Sequence, residues 1–246
     1  MKRSRVPVGP DPAFAQIDIH DRIAFPDAHN VSGDQPALWG ANLSPGVLLS
    51  AYEQGFFPWY AEGEPLWWWS PDPRFVLFLE ELHVSTSMRK VLRQQRFDIR
   101  FDTAFPEVMH GCSTAPRHGQ NGTWITSDMI NAYVYLHKQG YAHSAEAWQN
   151  GELVGGCYGV AVGNMFFGES MFAKVPDASK AAFLTLARNL KEWGVPLVDS
   201  QVHTNHLESL GAREIPRAAY LDILNVQKEG QTLYGQWKDR QKPLAW

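Results

Sequence analysis

The stretch HSAEAWQNGELVGGCYGVAVGNMFFGESMF, residues 143–172, decides the fold because it contains three extended segments and two turns in succession. Apolar side chains recur in it at a spacing of two, which is typical of β-strands. The predicted strands cover residues 143–149, 152–160 and 165–172, and the turn pairs between them are Asn150-Gly151 and Gly163-Asn164. We therefore predict an antiparallel three-stranded meander.

Helices and further strands are predicted on both sides of the meander. The pair Ser44-Pro45 predicts the start of a helix that ends at Gly55. Other predicted helices begin at residue 87 and cover residues 104–110, 127–139, 179–193 and 217–227, and other predicted strands cover residues 75–79, 98–101 and 196–202. This order of elements is typical of a mixed α/β fold, in which helices flank a mixed sheet.

Prolines and glycines indicate where the chain divides. Residues 1–40 are rich in Pro, Asp and Gly without periodicity, which predicts a flexible arm and loops. Prolines and aromatic rings then alternate in FFPWYAEGEPLWWWSPDPR, residues 56–74. We predict a small N-terminal domain over residues 1–73 and a larger catalytic domain over residues 74–246.

Composition indicates a globular chain without a membrane or targeting segment. Of 246 residues, 44% are apolar and 20% charged, and the net charge of -4 gives no overall basic character for binding nucleic acid. No stretch is apolar over the length of a membrane span, and the basic N-terminus lacks an apolar signal core, which together predict a cytoplasmic protein. Cys112 and Cys157 lie far apart, so free thiols are expected rather than a disulfide or a zinc site.

The segment LVDSQVHTNHLESLGA, residues 197–212, carries the first candidate site. Alternation along a strand would place Asp199 and Gln201 on one face, as an acceptor beside an amide donor near the end of a strand. The alternative is that both are solvated residues at the end of that strand. His203 and His206 form one HxxH pair without a further cluster, which favours a structural role over a metal site.

Glu169 in FFGESMF, residues 166–172, is the second candidate, because a carboxylate in an aromatic strand is costly unless something pairs with it. A salt bridge to Lys174 or Lys180 is the alternative. Gly168 would allow a ligand to approach the backbone closely.

Aromatic and basic groups complete the candidates. Most of the ten tryptophans are expected to pack in the core, but Trp59 is expected to face a cleft. Arg89, Lys90, Arg93 and Arg96 follow one another on the predicted helix that starts at residue 87, where they can contact either phosphates or water.

Several long motifs are similar to those of one known family. GFFPWY, WWWSPDPR, GTWIT, ELVGGCYGVAVGNMFFGESMF and DSQVHTNHLESLGAREIPR occur in order between about residues 44 and 220. In these motifs the chain resembles the bacterial leucyl/phenylalanyl-tRNA-protein transferases. The resemblance implies a small N-terminal domain and a C-terminal domain of the acyl-CoA N-acyltransferase type. It also implies that Leu or Phe, sometimes Met, is moved from tRNA to a protein beginning with Lys or Arg, which marks that protein for degradation.

The resemblance also implies residue roles, position by position. The family's catalytic Asp, Gln and strand Glu correspond to Asp199, Gln201 and Glu169. The pocket for the transferred side chain is similar to the surroundings of Met171, Phe166, Val198, Cys157 and Ser200. The rings that hold the 3' terminal nucleotide and aminoacyl group correspond to Trp59 and Trp124. Members often carry Met at the position of Cys157, so a wider pocket is expected here.

The expected chemistry is attack of a neutral α-amine on an activated ester, which depends on placement of the two groups. Asp199 is expected to orient the amine or to take its proton, and Gln201 to donate to the oxyanion. Arg89, Lys90 and Arg93 are the expected phosphate contacts for tRNA. No cofactor, metal or membrane is expected, and the chain is expected to be a monomer.

Two rival functions remain open from the sequence. An acetyltransferase that uses acetyl-CoA would share the expected domain type, but the chain lacks that group's Gln/Arg-x-x-Gly-x-Gly/Ala turn for the pyrophosphate. A non-catalytic module that binds N-terminal residues or RNA could use the tryptophans as a cage.

Overall fold

The computed structural model describes residues 7–115, 123–242 and 246. Its strands are β1 (Leu38–Trp39), β2 (Phe57–Pro58), β3 (Trp67–Trp69), β4 (Arg74–Phe78), β5 (Asp98–Phe101), β6 (Ala142–Gln149), β7 (Glu152–Val162), β8 (Met165–Ala173), β9 (Leu197–Asp199) and β10 (Arg213–Ile215). Its α-helices are α1 (Pro45–Glu53), α2 (Thr86–Arg93), α3 (Phe105–Thr114), α4 (Ser127–Lys138), α5 (Ala178–Glu192), α6 (Asn205–Glu208) and α7 (Arg217–Gln227). Short 3-10 helices cover Ala28–Asn30 and Leu79–Glu81.

The predicted meander is confirmed as β6, β7 and β8, three strands of a seven-stranded sheet with the order β10-β4-β9-β8-β7-β6-β5. Asn150 and Gly151 both have positive φ, as a two-residue hairpin between twisted strands requires, whereas only Gly163 does so in the second turn. Strand β9 pairs parallel with β8 and antiparallel with β4, so the sheet is mixed, as predicted.

Helices cover both faces of this sheet, in agreement with the predicted mixed α/β class. Alternate residues of β7 contribute to different cores: Tyr158, Val160 and Val162 belong to one hydrophobic cluster, and Cys157 and Ala161 to the other. The first cluster includes side chains from α1, α3, α4 and α7, and the second includes side chains from α2 and α5.

The N-terminal region is more closely attached than predicted. The β1-β3-β2 sheet precedes the larger sheet, and Tyr52 and Trp68 belong to the same hydrophobic cluster as Val160 and Leu197 of the larger sheet. Within residues 7–40, part of the backbone is bound by α1 side chains. Ser50 Oγ accepts from Ile23 N at 2.9 Å, and Gln54 Oε1 accepts from Phe25 N at 2.9 Å.

Several predicted element ends shift for local reasons. Helix α4 is capped by the Thr126 side chain rather than by Ser127 or Asp128, and α3 continues to Thr114. Helix α2 ends at Arg93, so Arg96 lies beyond it. The predicted strand over residues 196–202 ends at Asp199.

Candidate active site

The central sheet opens where β8 and β9 separate. Their parallel pairing joins Phe166 to Val198 and Phe167 to Asp199, after which β9 ends and β8 continues to Ala173. A cavity of about 780 Å³ lies at this opening, lined by residues of β8, of the segment after β9, of α5 and of the loop around Trp59. Clefts outside the carboxyl ends of strands are common ligand sites in α/β sheets.

Glu169 lies at a β-bulge on the edge of this cavity. Tyr158 of β7 pairs with Ser170 and Gly159 pairs with Gly168, so Glu169 is the extra residue of β8. A methyl group on Gly159 would come within 2.2 Å of Phe167 O, so the strands approach each other closely here only because that position is glycine. The bulge thereby turns the Glu169 side chain toward the cavity that it lines.

Two tyrosines, not a lysine, hold the Glu169 carboxylate. Tyr52 Oη donates to Oε1 at 2.7 Å. Tyr133 Oη lies 3.4 Å from Oε2 and also forms a short hydrogen bond with Tyr52 Oη, in which Tyr133 is the donor whenever Tyr52 donates to Glu169. The alternative of a salt bridge to Lys174 or Lys180 is not found among the described residues.

Glu169 has a pKa suited to proton transfer near neutral pH. Burial raises the pKa of its carboxyl group to about 7, with the negative charge of Asp199 acting in the same direction. The hydrogen bonds from Tyr52 and Tyr133 and the charge of Arg74 lower the pKa in part. Because this value lies near physiological pH, the carboxyl group can both accept and release a proton.

Asp199 differs from the prediction, because its side chain is fully buried and does not line the cavity. Its Oδ1 accepts from Arg74 Nε at 2.9 Å and Gln201 N at 3.0 Å, and its Oδ2 accepts from Arg74 Nη2 at 2.7 Å and Tyr220 Oη at 2.8 Å. A carboxylate offers about four acceptor positions, and all four are occupied. Asp199 therefore has no position left for a substrate amine.

Arg74 compensates the buried charge of Asp199. Its guanidinium is fully buried, donates to Gly55 O at 3.1 Å, and lies over the rings of Tyr220 and Phe57. Burial alone would lower the pKa of Arg74, but the charge and hydrogen-bond interactions with Asp199 and Tyr220 together outweigh burial and raise it. The resulting bidentate pair joins the start of β4 to the end of β9 and fixes the backbone that carries Gln201.

Gln201 lines the cavity, but it does so from a turn and not from a strand. Its φ of 60° places it in the left-handed region, so the expectation that Asp199 and Gln201 share a strand face is wrong. The backbone is held on both sides, because Gln201 N donates to Asp199 and Gln201 O accepts from Phe75 N at 3.2 Å. Its Nε2 is buried without a hydrogen-bond partner among the described residues, which leaves a donor at the cavity.

The parallel register places Glu169 and Gln201 at equivalent positions. Each lies two residues beyond the last pair of its strand, Phe167 with Asp199, and both line the opening between the strands. Ser200 also lines the cavity, and its Oγ is buried without a partner among the described residues. A group that accepts protons and a group that donates hydrogen bonds are thus presented to the same space.

An apolar part of the cavity accompanies these polar groups. Cys157, Phe166 and Met171 line it as predicted, and Phe183 of α5 adds a ring that the sequence did not single out. Val198 does not line the cavity, because it is fully buried beneath it. Burial raises the pKa of the Cys157 thiol, so this side chain acts as a small apolar surface.

Trp59 and Trp124 both line the cavity at the side of the N-terminal region. Trp59 is held by its neighbours: its N donates to Trp67 O at 3.0 Å, and the Trp69 indole donates to Trp59 O at 2.8 Å. The Gly122 of the GTWIT motif lies outside the described residues. The structure therefore brings the two predicted rings to one cavity wall.

The predicted basic residues lie elsewhere. Arg89, Lys90 and Arg93 are exposed on α2 and do not line the cavity. Arg96 forms an ion pair at 3.4 Å with Asp177, which does line the cavity at the start of α5. This places the basic segment near the rim of the cavity.

Other polar residues at the cavity were not predicted as site residues. Lys180, His203 and His206 line it, and His203 Nε2 lies 3.2 Å from Glu208. Among the described residues, no group of three or more His, Cys, Asp or Glu side chains is placed to hold a metal ion. Within the described part of the chain, no helix is both long and apolar enough to cross a membrane.

Comparison with known proteins identifies the family. The family model for the leucyl/phenylalanyl-tRNA protein transferase matches residues 76–225, and the model for the N-terminal domain of the same transferase matches residues 41–72. The chain belongs to the leucyl/phenylalanyl-tRNA–protein transferase family. It is therefore an aminoacyltransferase.

Individual members of this transferase family match most of the chain. The leucyl/phenylalanyl-tRNA–protein transferase of Stutzerimonas stutzeri is 54% identical over 83% of this chain and 91% of its own length. That of Myxococcus xanthus is 48% identical over 93% of this chain and 97% of its own length. A solved structure, L-PGS from Bacillus licheniformis, aligns with a TM-score of 0.36 and 13% identity over 63% of this chain and 51% of that one, too distant to support an argument.

Proposed function

We propose that this enzyme moves a leucyl or phenylalanyl group, or in some cases methionyl, from aminoacyl-tRNA to the N-terminal α-amine of a protein that begins with Lys or Arg. The added residue would mark that protein for degradation by the N-end rule. The observation that carries the proposal is the opening between β8 and β9, where Glu169 and Gln201 face one cavity beside an apolar slot. The related transferases support an aminoacyl-tRNA donor and a protein acceptor.

Glu169 is proposed as the proton acceptor and Gln201 as the oxyanion donor. The amine nitrogen forms a bond to the ester carbonyl carbon, and the ionised Glu169 carboxylate accepts one amine proton. The Gln201 Nε2–H group, which has no partner among the described residues, donates to the oxygen on which negative charge develops. The carbon–oxygen bond to the ribose then breaks, and the ribose oxygen takes a proton from Glu169.

Asp199 is proposed as a positioning residue in place of the direct contact to the amine that the sequence suggested. Its four occupied acceptor positions leave none for substrate, whereas its bond to Gln201 N supports the strained turn. The Arg74–Asp199 pair would thus keep the carboxamide in place without contacting the reacting atoms.

Donor recognition is proposed to use the apolar and aromatic parts of the cavity. Cys157, Phe166, Met171 and Phe183 would receive the leucyl or phenylalanyl side chain, with Ser200 at the edge of this slot and Val198 supporting it from below. Trp59 and Trp124 would hold the 3' terminal nucleotide. Arg89, Lys90 and Arg93 would contact phosphates of the acceptor stem.

The remaining features of the proposal concern the whole chain. The enzyme would act as a monomer without a cofactor, in the cytoplasm, where charged tRNA is present. The proposed catalytic domain, residues 74–246, would be of the acyl-CoA N-acyltransferase type. The opening between two parallel strands and the helix that follows β8 support this assignment.

A transfer assay tests the proposal. Labelled Phe-tRNA is incubated with a protein that begins with Arg, without CoA or ATP, and label in the protein is measured. Labelled protein is the expected result. No label from Phe-tRNA, together with acetylation of the protein when labelled acetyl-CoA is supplied, would favour an acetyltransferase. Binding of either substrate without transfer would favour a non-catalytic module.

A further inference from the structure

A second cavity adjoins the candidate active site and has a different chemistry. We define the aromatic cavity by Trp59, Trp67, Trp69, Trp124, Glu62 and Glu64, which are among the residues that line it, and its volume is about 840 Å³. Trp59 and Trp124 line both this space and the catalytic cavity. The two spaces therefore adjoin at these two indole rings.

The rings of the aromatic cavity are held in place by the fold. Trp59 and Trp69 pack with centroids 5.3 Å apart at an angle of 52°, and the Trp69 indole donates to Trp59 O. Trp67 and Trp69 belong to β3, which pairs with β1 and with β2. Indole faces fixed in this way attract cations without the cost of ordering flexible side chains.

The charge of the aromatic cavity is negative. Glu62 and Glu64 are exposed, and the Glu64 carboxylate is oriented by a hydrogen bond from Ala61 N at 3.0 Å. Within the described residues, no basic side chain lines the aromatic cavity. Burial is the main reason that the pKa of Tyr60 is raised to about 12. The hydrogen bond to Thr126 lowers this pKa, whereas the nearby charges of Asp128 and Glu62 raise it. The smaller contribution of these two charges has the direction expected of a negative local potential.

We propose that the aromatic cavity binds the cationic side chain of the acceptor's first residue, with Glu62 and Glu64 as the charged partners and the tryptophans as the walls. This inference rests on the proposed function, because it places the α-amine of the same residue in the catalytic cavity beyond Trp59 and Trp124. A guanidinium or ammonium group on a flexible chain fits both the aromatic faces and the carboxylates. An RNA base could stack on the same rings, but its phosphates would be repelled by this charge.

The test compares acceptor peptides that differ only in charge at the first side chain. One peptide begins with Arg and its partner begins with citrulline, which has nearly the same shape without the charge. Transfer of labelled Phe from saturating Phe-tRNA is measured for the wild type and for the double variant Glu62→Gln/Glu64→Gln. The carboxamides keep the size of the side chains and an acceptor for Ala61 N. Glu229→Gln, an exposed change outside both cavities, is the matched control.

The expected result is a loss of about tenfold in kcat/KM for the Arg peptide in the double variant, mainly through KM, with the citrulline peptide little affected. The control should retain the wild-type preference for Arg. An unchanged ratio between the two peptides would overturn the proposal. A raised KM for Phe-tRNA with an unchanged KM for the peptide would also overturn it and would assign the cavity to RNA.

Calorimetric binding of the Arg peptide without tRNA separates this proposal from the proposed function. If the wild type transfers Phe to neither peptide, the proposed function fails. The aromatic cavity is then judged by binding alone: weaker binding of the Arg peptide to the double variant supports it, and equal binding overturns it.

Discussion

Glu169 is a half-buried carboxylate and Asp199 a fully buried one, and their surroundings give them different chemistry. Asp199 has a bidentate arginine partner and no free acceptor position. Glu169 has only tyrosine hydroxyls as partners among the described residues and lines the cavity. Without a cation in contact, burial dominates and raises its pKa to about 7. The difference supports the proposed roles of Glu169 in proton transfer and of Asp199 as a positioning residue.

Gln201→Ala should slow transfer in a single turnover by about 10²- to 10³-fold, as removal of one oxyanion donor does elsewhere. The cause is loss of the Nε2–H group, whereas the backbone bond to Asp199 remains. Gln35→Ala, at an exposed glutamine, is the control and should keep the wild-type rate. A full rate for Gln201→Ala would remove that carboxamide from the mechanism.

Tyr52→Phe should raise the apparent pKa in the pH–rate profile of transfer. The hydrogen bond from Tyr52 lowers the pKa of Glu169, so its removal leaves the burial effect less opposed. The pH at which the transfer rate rises should then be higher than in the wild type, when both are measured with the same acceptor. A shift to lower pH, or none, would contradict the assignment of that pKa to Glu169.

At the level of elements, the ion pair between Arg74 at the start of β4 and Asp199 at the end of β9 holds the site together. Arg74→Ala leaves the Asp199 carboxylate buried without its cation, so the free energy of unfolding should fall by about 3–5 kcal/mol in urea denaturation. Arg213→Ala is the matched control, because Arg213 lies on the adjacent β10 and pairs with Glu81 at the surface. A loss for Arg74→Ala no larger than for this control would show that the buried pair is not structural.

The same elements explain how far the sequence could predict the site. The meander, α1 and α7 follow from local periodicity and turn residues, and Glu169, Gln201, Cys157, Phe166 and Met171 follow from motifs. The partners of the carboxylates could not be predicted, because Arg74 and Asp199 lie 125 residues apart and Tyr52 and Glu169 lie 117 apart. Tyr52 and Tyr133 occupy apolar positions in the periodic pattern of their helices. Nothing in the local sequence indicates the hydrogen bonds that their hydroxyl groups form. The left-handed turn at Gln201 likewise depends on contacts with β4.

At the level of the whole molecule, a net charge of -4 requires RNA contacts to be local. The region proposed for these contacts is the exposed face of α2, near the cavity rim. Binding of tRNA should weaken as the salt concentration rises. Replacement of Arg89, Lys90 or Arg93 singly by Ala should reduce the slope of the logarithm of the binding constant against the logarithm of salt concentration by up to about one. Lys238→Ala, exposed near the C-terminus, is the control. Equal slopes for the wild type and the α2 variants would place the RNA elsewhere.

The pH dependence of single-turnover transfer by Glu169→Gln is the most direct test of the proposed mechanism. In the wild type, the rate should rise as pH increases through about 7, because the ionised carboxylate is the active form. In the variant, the rate should fall strongly and this dependence should vanish, leaving only the titration of the acceptor's α-amine at about 7.7–8.0. A variant with the rate and profile of the wild type would contradict the account.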